Sequence, residues 1–261
     1  MVSPTPLATR VTLNAIQPLR AQFLAETCFQ IRYDACHERG WTDSYLLTLD
    51  GVPVGYGSVK GREDVAARDV VFEFFVVRPF RKHASRLFLK LLSASGVRGV
   101  ECQTNDWLLS SLVLEYATDI RGDVVLFQDD RATEHEVPGI AVRPRREDDE
   151  VFPHTVEPVG DYVAVAAGEV VASGGFLRHY NPPFADVFME VRPDWRGRGI
   201  GSLLVQEVKK ACYLAGCVPA ARCSIRNTAS RATLARAGMV PCGFMLSGRI
   251  GSVADGPPGA S

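Results

Sequence analysis

Arg196, Gly197, Arg198, Gly199, Ile200, Gly201 and Ser202 form a basic, glycine-rich run whose chemistry suits an anion. Upstream, Asp186-Val-Phe-Met-Glu-Val191 has strand character, and downstream Leu203, Leu204, Val205, Val208 and Ala211 recur at helical spacing. The glycines therefore fall at a strand-to-helix junction. The first N–H groups of a helix have no intrahelical acceptor, the helix dipole adds positive potential, and missing side chains allow close approach. Phosphate is the ligand such a junction holds. Two common phosphate motifs fail on spacing: G-x-G-x-x-G needs glycine at 202, where Ser202 stands, and no G-x-x-x-x-G-K-[ST] occurs.

The spacing that is present is R-x-x-G-x-G, carried by Arg196, Gly199 and Gly201. It is similar to the coenzyme A signature of the GNAT acyltransferases, and Val191-Arg-Pro193 just before it resembles the end of that family's fourth strand. A second segment, Cys223-Ser-Ile-Arg-Asn227-Thr-Ala-Ser230-Arg-Ala-Thr-Leu234-Ala-Arg-Ala-Gly238-Met239, resembles the family's later motif of a strand ending at Asn, a short helix and a closing Gly-Met. The resemblance implies acetyl-coenzyme A as acyl donor, no metal, and transfer to the amine of a small-molecule acceptor. It implies that backbone groups from Arg196 to Ser202 hold the pyrophosphate and that Val191 offers main-chain hydrogen bonds to the pantetheine arm. Asn227 would help hold the splayed sheet around that arm, although asparagine is equally suited to capping a helix. The alternative is a non-catalytic acyl-coenzyme A binder of the same fold.

The implied transfer needs a group that takes a proton from the attacking ammonium and, as a further aid, one that protonates the departing thiolate. Glu190, beside Val191, and His179, in the preceding loop, are the candidate bases. Leu234 departs from the family pattern, because many members carry a tyrosine acid seven residues after the asparagine. A thiol with a pKa of about 8.5 is already a fair leaving group, so this loss need not abolish activity. Tyr180, Ser230 or water are the substitutes, and Ser230 also reads as a helix-start residue.

The elements that position these residues recur. Tyr45-Leu-Leu-Thr-Leu-Asp-Gly51 and Tyr162-Val-Ala-Val-Ala-Ala-Gly168 each read as a strand and turn followed by a second strand. Phe74-Phe-Val-Val-Arg-Pro79 answers Phe188-Met-Glu-Val-Arg-Pro193, and Glu101-Cys-Gln-Thr-Asn105 answers Arg222 to Asn227. A domain-sized repeat, well beyond the ~20–50 residues of solenoids, indicates duplicated domains. The expected fold is α/β, two tandem GNAT-like domains over residues 1–133 and 134–261, each a mixed, mostly antiparallel sheet flanked by helices. Residues 251–261 read as a frayed tail.

The copies differ at the cradle. Where the second has its glycines, the first has Arg81-Lys-His-Ala-Ser-Arg86, so coenzyme binding is expected only in the second. They differ also before the first hairpin. Leu13 to Trp41 has room for an amphipathic helix or two, but the short stretch between Arg143 and Tyr162 does not, which suggests an acceptor wall borrowed from the first copy.

Composition fits this reading. The formal net charge is -1, which gives no electrostatic argument for nucleic acid or an anionic membrane. The seven cysteines form neither C-x-x-C pairs nor a zinc pattern with the five histidines, so structural thiols are expected. No apolar run approaches the ~20 residues of a membrane span. A cytoplasmic monomer or homodimer is the expectation.

Overall fold

The computed structural model describes residues 3–26, 30–178 and 182–251. His179, Tyr180 and the tail beyond Gly251 lie outside the described residues. In chain order the elements are β1 (Pro6–Val11), α1 (Leu13–Glu26), α2 (Asp34–Glu38), β2 (Thr42–Leu49), β3 (Val52–Lys60), β4 (Val70–Val76), α3 (Ala84–Ser95), β5 (Gly99–Gln103), α4 (Trp107–Tyr116) and β6 (Ala117–Asp129). There follow β7 (Ile140–Pro144), β8 (Tyr162–Ala166), β9 (Glu169–Leu177), β10 (Phe184–Val191), α5 (Ile200–Leu214), β11 (Val218–Ser224), α6 (Thr228–Arg236) and β12 (Met239–Ile250). Among the described residues, the stretch from Leu13 to Trp41 holds two helices, as its length allows. The stretch between Pro144 and Tyr162 holds none and crosses as irregular chain.

The chain divides into two compact units, and they are not the contiguous halves that the repeat suggests. One takes the described residues up to Asp123 together with those from Phe244 onward; the other is Val124–Gly243. In the first, strands run β1-β2-β3-β4-β5-β12; in the second, β7-β8-β9-β10-β11-β6. Each unit therefore receives its last strand from the other half of the sequence. Met245–Arg249 of β12 pair antiparallel with Gly99–Gln103 of β5, and Val124–Gln128 of β6 pair antiparallel with Ala220–Ser224 of β11. A sequence repeat records the order of elements but not their long-range partners, which is why the boundary near residue 133 does not match the units.

Each sheet is antiparallel except for one parallel pair, β4 with β5 and β10 with β11. Both parallel pairs open early. β10 meets β11 only over Phe184–Asp186, although β10 runs on to Val191. β4 meets β5 only at Val70 and Val71, although it runs on to Val76. The helix crossing each parallel pair packs on the sheet through residues of 3.6 periodicity. Ile200, Leu204, Val205 and Val208 of α5 bury against Val187 and Val191, while Leu87, Phe88 and Leu91 of α3 bury against Phe74 and Val76. Burial pushes the thiols of Cys102 and Cys212 up to about 12, in keeping with structural cysteines. No helix among the described residues is long and apolar enough to cross a membrane.

Candidate functional site

The glycine run turns the chain from β10 into α5 within a few residues. After a short 3-10 turn over Pro193–Trp195, Gly197 (φ 76°) and Gly199 (φ 84°) are left-handed, a conformation that side chains oppose. The N–H of Leu203 donates to Gly199 O at 3.1 Å and closes the first helical bond, so those of Ile200, Gly201 and Ser202 come before it. Gly201 has a different reason for being glycine. A Cβ there would stand 3.1 Å from Cγ2 of Thr233 and 3.4 Å from the Met189 sulfur, so α5 needs this glycine to pack on α6 and β10.

A cleft of about 490 Å³ runs from this turn along the parted edge of β10. Its walls are the turn itself, Met189 to Val191, one face of α6 from Asn227 to Arg236, and Val156 with Glu157 from the irregular crossing. The N–H of Arg192 donates to Val171 O on the β9 side, so by strand alternation the N–H and carbonyl of Val191 face the parted edge. Arg196 lines the cleft, and its Nε donates to that Val191 carbonyl at 3.0 Å. The arginine thus braces the strand end as well as adding charge. Arg198 turns away from the cleft, stacked 4.6 Å over the Trp195 ring with Nη2 donating to Asp194 O. Arg236 supplies the second guanidinium of the lining.

Glu190 is not placed to act as a base. It is 7% exposed, and its oxygens accept from the N–H groups of Thr155, Val156 and Glu157 and from the Thr155 hydroxyl, at 2.9–3.3 Å. Burial pushes its carboxyl up, but those donors outweigh it and hold the pKa at about 2. A carboxylate so bound stays charged; its work is to fold the crossing onto the cleft. What it brings there is Glu157, which sequence reasoning did not single out. Burial raises the Glu157 carboxyl, the charges of Glu190 and Asp186 raise it further, and Arg222 and His154 oppose them. No local signal marks a glutamate in an irregular crossing; only the Glu190 anchor puts it in the wall.

Asn227 is the helix cap that its residue type suggests. Its side chain caps α6, accepting from Ser230 N–H at 3.0 Å, and it lines the cleft. Ser230 lines the cleft one turn on, beside the Cys223 thiol, whose pKa burial raises and Ser230 lowers. Leu234 is 4% exposed and packs in the core against α5 and β10, so position 234 does not face the cleft. The hydroxyl-bearing residues of this helix that line it are Ser230 and Thr233.

The first unit builds the same frame and closes it. Arg81, like Arg196, braces its strand end, with Nε donating to Val76 O at 2.9 Å. Its remaining reach is taken by an ion pair with Glu26 and by stacking 4.9 Å over Trp107, so it is not held out for a phosphate. A 3-10 turn over Arg78–His83 leads into α3 with His83 at φ −103°, without a left-handed residue. Where β4 and β5 part, the Gln103 amide grips the backbone of Ile31 at both ends, donating to its carbonyl and accepting from its N–H. The space left there is about 10 Å³. The helix cap of α4 is Asp106, one residue beyond the Asn105 that the repeat aligns with Asn227.

Comparison with known proteins gives two family matches. The model of the acetyltransferase (GNAT) family matches residues 111–239, and that of an acetyltransferase (GNAT) domain matches residues 12–130. Among solved structures, the chain is similar to an acetyltransferase of the GNAT family from Colwellia psychrerythraea, with a TM-score of 0.70 and 13% identity over 94% of this chain and 99% of that one. It is similar to a tandem GNAT protein from the clavulanic acid biosynthesis pathway, with a TM-score of 0.59 and 12% identity over 95% and 99%. A GCN5-related N-acetyltransferase from Sphaerobacter thermophilus gives 0.55 and 19% over 94% and 95%. At these identities the likeness is one of fold. A comparison with curated proteins gives no significant match.

Proposed function

Because the chain belongs to the GNAT superfamily, with two of its domains in tandem, we propose that its second unit is an acetyl-coenzyme A-dependent N-acetyltransferase acting on a small-molecule amine. The observation that carries this reading is the continuous cleft of about 490 Å³. It joins the three leading N–H groups of α5, with Arg196 and Arg236 beside them, to the parted edge of β10. The first end suits a pyrophosphate and the second an amide-bearing arm that adds to the strand edge at Val191.

Bound there, acetyl-coenzyme A supplies a thioester whose C–S bond is exchanged for a C–N bond to the amine. The chain's own residues do the rest. Glu157, in the wall and raised above an ordinary carboxylate, takes the proton that an ammonium must lose before it attacks. Ser230 and Thr233 offer hydroxyls for the proton that the thiolate gains. Glu190 holds Glu157 in place through its N–H, and Asn227 fixes the start of α6. The first unit takes no part in coenzyme binding, since its parted strands are filled and Arg81 is already paired.

Two measurements test the reading. Coenzyme A should raise the thermal midpoint of the protein, because a ligand of the folded state stabilises it, and Gly199→Val should abolish that rise. Thiol release from acetyl-coenzyme A across a panel of amines should then find a turned-over acceptor. An unchanged rise in Gly199→Val refutes the cradle; binding without release on every amine favours the non-catalytic binder.

A further inference from the structure

On the sheet face opposite α5, beyond the residues that line the cleft, Asp186 and Arg222 lie within electrostatic reach of Glu157. Asp186 stands at the last paired position before β10 and β11 part, and Arg222 is two residues past its partner Ala220 on β11. They meet across the gap, Arg222 Nη2 to Asp186 Oδ2 at 3.2 Å. Along β10, side chains alternate, so Asp186, Phe188 and Glu190 share one face while Met189 and Val191 face α5. Glu190 carries Glu157 over that face, and His154 packs beside it with Nδ1 3.8 Å from Glu190 Oε2. Glu157 feels the charges of both Asp186 and Arg222. Glu157 and Glu190 thus line the cleft here, and Asp186 adds its charge from beyond the lining. Arg222, outside the cleft lining, keeps 44% of its side chain exposed, with one part of its planar fork on Asp186.

We propose that the acceptor is an amine carrying a carboxylate on the neighbouring carbon, an α-amino acid or close analogue, with its ammonium at Glu157 and its carboxylate on Arg222. This rests on the acetyltransferase reading for the reaction, but not for the binding. The inner carboxylates favour a cation and disfavour a second anion, so the two ends of a zwitterion are held in one orientation. An arginine suits the outer end better than lysine would, because its fork matches a carboxylate with two parallel bonds. Arg222 is a specificity residue in this arrangement, since it meets the acceptor away from the bond that forms.

The test compares each of alanine, leucine, phenylalanine and lysine with its decarboxylated amine: ethylamine, isopentylamine, phenethylamine and cadaverine. Binding is measured calorimetrically to the full chain, with and without coenzyme A, for the parent and for Arg222→Gln and Arg222→Lys. At least one amino acid should bind about tenfold or more tightly than its amine. Arg222→Gln should bring that ratio close to one by weakening only the amino acid, and Arg222→Lys should restore part of it. Amines that bind as tightly as every amino acid overturn the proposal, as does an Arg222→Gln variant that weakens both partners of a pair equally. Failure of coenzyme A to bind leaves these ratios measurable and counts against the acetyltransferase reading instead.

Discussion

Glu190 and Glu157 divide between them what a single acidic residue beside Val191 seemed to promise. Glu190 accepts from three backbone N–H groups and a hydroxyl, so Glu190→Gln should destabilise the protein by about 1–3 kcal/mol, since an amide NH₂ would then face donors. Its pKa lies below that of the unfolded chain, so its contribution is full above the ordinary glutamate pKa of about 4.3 and is lost as pH falls from there toward about 2. Acid unfolding followed by circular dichroism in the parent and the variant should converge in that window. Glu157→Gln should instead leave the thermal midpoint unchanged and lower kcat by about 10²–10⁴, with loss of the acidic limb in the pH profile. Asp106 gives the opposite sign. Burial, partly offset by the N–H groups of Leu109 and Leu108, raises its pKa to about 7, so the folded state holds its proton longer than the unfolded one and stability declines as pH rises from about 4 to 7. Asp106→Asn keeps a capping oxygen and removes that decline. The variant should melt higher than the parent at pH 7–8 and match it near pH 4.

At the scale of the element, the turn after β10 was legible because glycine, strand pattern and helix pattern are all local. The chemistry of each glycine was not. Gly199 is needed for its left-handed backbone and Gly201 for the approach of α6, a contact between residues 32 positions apart in sequence that no spacing rule contains. Gly201→Ala should therefore cost stability through the Thr233 methyl, and Thr233→Ser, which removes that methyl, should recover most of the loss in thermal unfolding. Leu234 carries the same lesson. Counted from Asn227 it stands where an acid is expected, yet the rotation of α6 points it into the core and turns Ser230 and Thr233 to the cleft.

Whole-molecule organisation changes how the protein can be divided. Residues 124–243 contain every strand of the second unit, including the β6 segment that pairs with β11, whereas residues 134–261 lack it. The fragment 124–243 should fold and be stabilised by coenzyme A; the fragment 134–261 should not, because β11 would lose its antiparallel neighbour and Val125 and Phe127 would leave the core. Thermal unfolding of the two fragments with and without coenzyme A checks this. By itself the sequence determined the periodic elements, the order in which they recur, the glycine turn between strand and helix and the cap at Asn227, because each depends on residues within a few positions of one another. Tertiary structure alone decided which strand closes each sheet, that Gln103 and Ile31 fill one parted pair while the other stays open, and that Glu157 joins the cleft wall while the Glu190 carboxylate is taken up by the backbone of the crossing. Those outcomes rest on contacts between residues 33 to 150 positions apart, formed only when each sheet assembles.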